Sequence, residues 1–282
     1  LYQLAGQGLA VVPRQFADAS ILVVFDGFMG KILRRLADYI VNTERHALIL
    51  GMPVYRARMA TLGERLPGTT PRSDGLARNV DYALAQIQQL MERHPDRNLV
   101  LYGHSLGGTV LLHCLGHLVE LPPSDRERIY VIADQAPDAP VPLARLITAE
   151  PRLRRVVASV LGRLGGSIDV LDDAARLERV QVPASMAPRV LRRGTDLDSV
   201  LSVFVATRLV NRRLGAVRND GWLPTDACID VTPSHVTRPG SDHFSPSWAG
   251  RRGDGVTEGS DVHVGSGTGV QVGGRGGARA GR

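Results

Sequence analysis

Short blocks of continuous apolar residues alternate along the chain with stretches where apolar residues recur every three or four positions. Ser20-Ile-Leu-Val-Val-Phe25, Ala47-Leu-Ile-Leu50, the run from Leu99 to Tyr102 and Arg128-Ile-Tyr-Val-Ile-Ala133 are blocks of the first kind. A strand buried on both faces of a parallel sheet has this make-up. Helical spacing separates the blocks. It is carried by Ile32, Leu33, Leu36, Ile40 and Val41, then by Leu76, Val80, Leu84, Ile87 and Leu90, then by Val110, Leu111, Leu112, Leu115 and Leu118. Ser73 or Asp74 is placed to cap the second of these helices, and Pro95 to stop it. Residues 52–72 are polar and broken by Gly and Pro, and read as loop. The alternation predicts an α/β fold, a doubly wound and mostly parallel sheet.

The pattern changes after the block that ends at Ala133. Residues 140–188 are rich in arginine and aliphatics, with short helical patterns at 143–147, 153–164 and 170–177. They read as a helical cap inserted over the sheet's C-terminal edge. A strand is then predicted over Arg189 to Arg192, followed by a helix with Val200, Leu201, Phe204, Val205 and Leu209. A last short strand is predicted near His235-Val-Thr237. Residues 1–19 are ambiguous, with a possible strand at Leu9-Ala-Val-Val12. About a third of residues 250–282 are glycine, with little apolar content, so this stretch cannot bury a core and is expected to be a disordered tail. The chain thus divides into one domain over 1–249 and a tail.

One junction carries chemistry. Gly103-His104-Ser105-Leu106-Gly107 fits G-x-S-x-G and lies where an apolar strand runs into an apolar helix. A sharp strand-to-helix turn projects a serine hydroxyl but crowds the backbone beside it. Glycine at 103 and 107 leaves room, and Gly108 lets the helix pack closely on the sheet. The helix N-terminus aims free N–H groups and partial positive charge at the same place. His104 is expected to line the pocket.

On these residues the chain resembles the α/β-hydrolase fold family, on its lipase and esterase side, over roughly residues 20 to 248. The resemblance implies an order of oxyanion loop, serine, acid and histidine. Ser105 matches the nucleophile. Asp26-Gly27-Phe28 matches the family's His-Gly-x loop, with Asp26 where histidine is common, so the resemblance makes the N–H groups of Phe28 and Leu106 the oxyanion donors. His243, in a Gly/Ser/Asp loop after the last strand, matches the base, with His235 as runner-up. The acid has three candidates. Asp220, in Asn219-Asp-Gly-Trp-Leu-Pro224, resembles the Asp-Gly-x-x-Pro turn of many lipases. Asp196 resembles a Gly-x-x-Asp form but stands where a helix would use it as a cap. Asp138 follows the strand after the serine helix. The implied activity is hydrolysis of carboxylic esters, with a lipophilic acyl group, through an acyl-enzyme and without cofactor. A thioesterase or acyltransferase with the same triad is the nearest alternative, and a non-catalytic binding member of the fold the more distant one.

Composition changes little in this picture. The net charge of +6 comes almost wholly from arginine, with Lys31 as the one lysine. The arginines are scattered and not interleaved with aromatics, so no nucleic-acid partner is expected. Cys114 and Cys228 are too few for a disulfide framework. His113 and His117 stand four apart on the serine helix without a further ligand, so no metal is expected. No apolar run reaches the length of a membrane span, so a small-molecule ester, no stable membrane insertion and a cytoplasmic setting are the expectations.

Overall fold

The structure is a computed structural model that describes residues 14–28, 44, 47–48, 50–61, 75–196, 213–214, 228 and 235–239. The predicted helices at 32–41 and 200–209, the strand at 9–12 and the tail lie outside these residues. Six strands form one sheet: β1 (Ser20–Phe25), β2 (Val54–Arg56), β3 (Asn98–His104), β4 (Ile129–Asp134), β5 (Val190–Asp196) and β6 (His235–Pro239). Their spatial order is β2-β1-β3-β4-β5-β6, and every described pair is parallel.

Successive residues of the central strands feed opposite faces, as the pleat requires. Ile21, Val23, Phe25, Leu99, Leu101 and Val131 join one buried cluster with α2 (Leu76–Arg93) and α3 (Leu106–Leu118). Leu22, Val24, Val100, Tyr102 and Ile132 join the other, with Ala17 of the short helix α1 (Arg14–Asp18). Helices on both faces explain why the middles of these strands are apolar on both sides.

The order also fixes where a ligand can sit. The chain moves from β1 outward to β2, then returns to the other side of β1 for β3. The loops after β1 and β3 therefore leave the sheet in opposite directions and open a crevice at their C-terminal ends. Residues 26–28 and Ser105 occupy those two loops.

Three local expectations are corrected. Ala47 and Leu48 are helical, and Leu48 is 64% exposed. Gly51 (φ 76°) ends that helix: its N–H donates to the Leu48 carbonyl and the Met52 N–H to the Ala47 carbonyl, a Schellman-type stop. The second strand is instead Val54–Arg56, inside the stretch read as loop. Helix α2 has no side-chain cap of its own at Gly75. The Asp173 carboxylate accepts the Leu76 N–H at 2.6 Å, so the cap arrives from almost a hundred residues downstream. Strand β5 continues past Arg192 to Asp196.

The helices predicted between residues 140 and 188 are present as α5 (Pro142–Ala149), α6 (Pro151–Arg163) and α7 (Asp169–Arg176), after a short α4 (Pro123–Arg126). Proline at the first turn of α5 and of α6 supplies a fixed φ where no N–H partner is needed.

Candidate active site

Ser105 sits between β3 and α3 with φ 51° and ψ −121°. For a residue with a side chain such a conformation costs about 1–3 kcal/mol and persists only when the surroundings impose it. They do. The Ser105 N–H donates to the Asp134 carbonyl at 2.9 Å, and its own carbonyl accepts the Thr109 N–H at 3.0 Å. The Thr109 hydroxyl donates onward to the Pro137 carbonyl at 2.7 Å, tying the first turn of α3 to the loop after β4.

The two motif glycines are required by close approach. A Cβ at Gly103 would lie 2.6 Å from the Gly107 backbone, and one at Gly107 would lie 2.2 Å from the Phe25 carbonyl oxygen. The turn after β3 is thus wedged against the end of β1. A Cβ built on Gly27 would lie 3.1 Å from the Ser105 Cβ, so the loop after β1 passes directly beside the serine.

Above Ser105 lies a cavity of about 350 Å³. Phe28, Ser105, Leu106 and Thr109 line its sheet side, and residues of α5, α6 and α7, among them Ile147, Val157, Leu161 and Leu171, line its roof. The lining is almost entirely apolar; Asp173, the carboxylate that caps α2, is its one charged member among the described residues. The structure therefore brings Phe28, Ser105 and Leu106 together. It does not place His104 in the lining. That side chain is buried beneath, with Nδ1 3.0 Å from a Cβ built on Gly27.

Charged groups around the site have defined partners. Arg56, at the end of β2, makes a two-pronged bond to Glu44, with Nε to Oε1 at 2.8 Å. That hydrogen bond raises the guanidinium pKa above its usual value, with the charges of Glu44 and Asp26 adding and burial opposing. Asp138 is fully buried and bound to Arg192, itself buried in β5, whose Nη2 also donates to the Val180 carbonyl at 3.2 Å. This ion pair gives Asp138 a structural task, bridging the loop after β4 to β5. It costs desolvation, and Arg179, 3.8 Å from the other Asp138 carboxylate oxygen, adds a second cation to the pair. The Tyr102 hydroxyl donates to Asp134 at 2.5 Å.

Burial shifts two titratable groups on α3. The Cys114 thiol is pushed up to about 12 by desolvation, so it stays protonated and acts as core. Burial also lowers the His113 pKa, against the opposing charges of Asp138 and Asp173. No group of three or more metal-type ligands occurs among the described residues.

Asp220 and His243 lie outside the described residues. The strand that precedes His243 is nonetheless placed. Because all pairs are parallel, β6 ends at Pro239 on the same edge as the end of β3. His235 pairs with Arg192 and stands three strands from β3, about 14 Å away at ordinary strand spacing. Asp196 closes β5 opposite Pro239, on the edge that holds Ser105. The sequence reading names Asp196 as a candidate acid but ends the strand at Arg192, because Arg192, Arg193 and Gly194 interrupt the apolar run. It misses Asp173, whose role depends on a contact between distant helices.

A model of the alpha/beta hydrolase family matches residues 32–269. No curated protein matches the chain by sequence. Among solved structures, a metagenomic carboxyl esterase is similar at 20% identity, over 80% of this chain and 64% of that one, with a TM-score of 0.49. The chain thus spans just under two thirds of that esterase's length. The Bacillus licheniformis lipase BlEst2 in mature form is similar at 14% identity, over 80% of this chain and 86% of that one, with a TM-score of 0.50. At such identities the likeness is one of fold.

Proposed function

The chain belongs to the alpha/beta hydrolase family, and from that premise we propose that it hydrolyses carboxylic esters carrying a lipophilic acyl group. The observation that carries the reading is the strained serine at the floor of an apolar cavity. A non-glycine residue held at positive φ between a strand and a helix has its side chain projected and its neighbours fixed before substrate arrives. The cavity accepts an acyl chain, and its apolar walls favour one over a sugar or a charged group.

In this mechanism the Ser105 Oγ attacks the acyl carbonyl. His243 takes its proton and returns it to the leaving alcohol, and water then deacylates the enzyme. The backbone N–H groups of Phe28 and Leu106 receive the oxyanion. The four residues from Pro239 to His243 span up to about 14 Å when extended, enough to cross from β6 toward β3. Asp220 orients the imidazole. A second reading gives that task to Asp196, favoured by its place at the end of β5, on the catalytic edge.

The test is kinetic. Ser105→Ala is expected to remain folded, to lose labelling by a fluorophosphonate probe, and to lose at least about 10³-fold in turnover of p-nitrophenyl esters. Wild-type turnover should rise from acetyl to medium-chain esters. Retained turnover in the folded variant would sink the proposal. For the acid, Asp220→Asn is expected to lower kcat by about 10³–10⁴-fold and Asp196→Asn by at most about tenfold. The reverse ranking moves the acid to the end of β5.

A further inference from the structure

Among the described residues, four of the six large apolar side chains left exposed are on the cap, the others being Leu48 and Leu214. Val156 (61%), Val160 (49%) and Leu164 (44%) follow one another at four-residue spacing along α6 and just past its end, and Leu146 (41%) stands on α5. Spacing of four residues makes a continuous stripe on one helix face. Val160 and Leu164 also line the cavity over Ser105. The stripe is therefore not a separate patch but the outer lip of the cavity.

Charge accompanies the stripe. Helix α6 carries Arg152, Arg154, Arg155 and Arg163 and no acidic residue. Arg154 is taken by Asp172 of α7 at 2.5 Å. Glu150, before the helix, accepts the Arg152 N–H as its cap. The side chains of Arg152, Arg155 and Arg163 are exposed, on the same solvent-facing side as Val156. A helix with an apolar strip flanked by arginines, lying parallel to a surface, is built for the interface of an anionic bilayer, where the strip enters the acyl boundary and the guanidinium groups meet phosphate.

We propose that α6 docks the cap on an anionic phospholipid surface and so opens the cavity lip directly into the acyl layer. The ligand is the bilayer surface itself, and the effect on chemistry rests on the ester-hydrolase reading above. Docked this way, an acyl chain passes from bilayer to Ser105 along Val160 and Leu164 without crossing water, and its transfer loses no apolar burial. No helix among the described residues is long and apolar enough to cross a membrane.

Flotation of the full chain with vesicles tests this. The vesicles are phosphatidylcholine alone and phosphatidylcholine mixed with phosphatidylglycerol, at low and high salt. Binding to the anionic vesicles that weakens with salt is expected, with little binding to neutral ones. Arg152→Glu/Arg155→Glu and, separately, Val156→Glu should each weaken anionic-vesicle binding at least about tenfold. Both should leave hydrolysis of a soluble short-chain ester unchanged. Equal binding to neutral vesicles, no vesicle binding, or binding that ignores all three substitutions would overturn the proposal. So would a dimer in sedimentation that Val156→Glu dissociates while vesicle binding is absent, since the stripe would then face a second copy. A chain that binds vesicles but never turns over ester keeps the docking and loses the hydrolase reading; one that turns over ester and ignores vesicles does the reverse.

Discussion

The elbow and the cap meet at one cavity but are held in opposite ways. Helix α3 buries nine residues, including Val110, Leu111, Leu112 and Leu115, against the sheet. Helices α5 and α6 bury one each, Ala144 and Leu161, and α7 only Val170 and Ala175. The cap has its own small apolar cluster around Val141, Ala144, Ala175 and Cys228, separate from the two clusters of the sheet. Polar contacts tie the cap helices to one another, with Arg154 on Asp172, the Val141 N–H on the Ala174 carbonyl and Arg145 on the Ala175 carbonyl, and Asp173 reaches out of the cap to the α2 N-terminus. Apolar burial contributes roughly 25 cal/mol per Å², so a region with little of it opens at a lower free energy. The difference in burial predicts that the cap side of the cavity opens before the side that carries Ser105.

The sharpest way to break the rigid half is Gly107→Ala. The new Cβ meets the Phe25 and Asp26 carbonyl oxygens at 2.2 and 2.7 Å, and backbone at the core of a sheet has nowhere to go. A loss of about 3 kcal/mol or more is expected, read from the urea midpoint, with loss of ester turnover because the loop carrying Phe28 is pushed away.

Asp173→Ala attacks the seam between the halves. It removes the cap of α2, with an expected cost of about 0.5–2 kcal/mol. The more telling readout is kinetic. KM for a medium-chain ester should rise while acetyl-ester turnover changes little, because the loosened wall touches only the longer chain. Equal effects on both esters would show that the cap and elbow move as one unit.

Gly162→Ala is the mildest change and should carry the opposite sign. Nothing lies within 4 Å of a Cβ there, near the end of α6. A gain of about 0.5 kcal/mol is expected from helix propensity alone, visible as a small rise in Tm. Glycine to alanine is thus predicted to destabilise one wall of the cavity and stabilise the other.

Much of this was legible in the chain itself. The strands β1, β3 and β4 appear as apolar runs because burial on both faces of a sheet favours apolar side chains, and their buried polar residues Ser20, His104 and Asp134 stand at the strand ends. The elbow appears as a motif because its constraints are steric and span only five residues. The cap helices appear because each pays its own local periodicity. Tertiary structure decided the rest. Strand β2 has three half-exposed or exposed residues, and only its pairing with β1 makes it a strand. The apolar run at Ala47 and Leu48 was decided by the glycine stop after it, which turned a strand-like composition into a helix end. Asp196 became the end of a strand because β6 continues beside it. The capping of α2 by Asp173, and the joining of Phe28, Ser105 and Leu161 around one cavity, are contacts between residues far apart in sequence. Hydrophobic periodicity records which side of an element is buried; it carries no record of which element buries it.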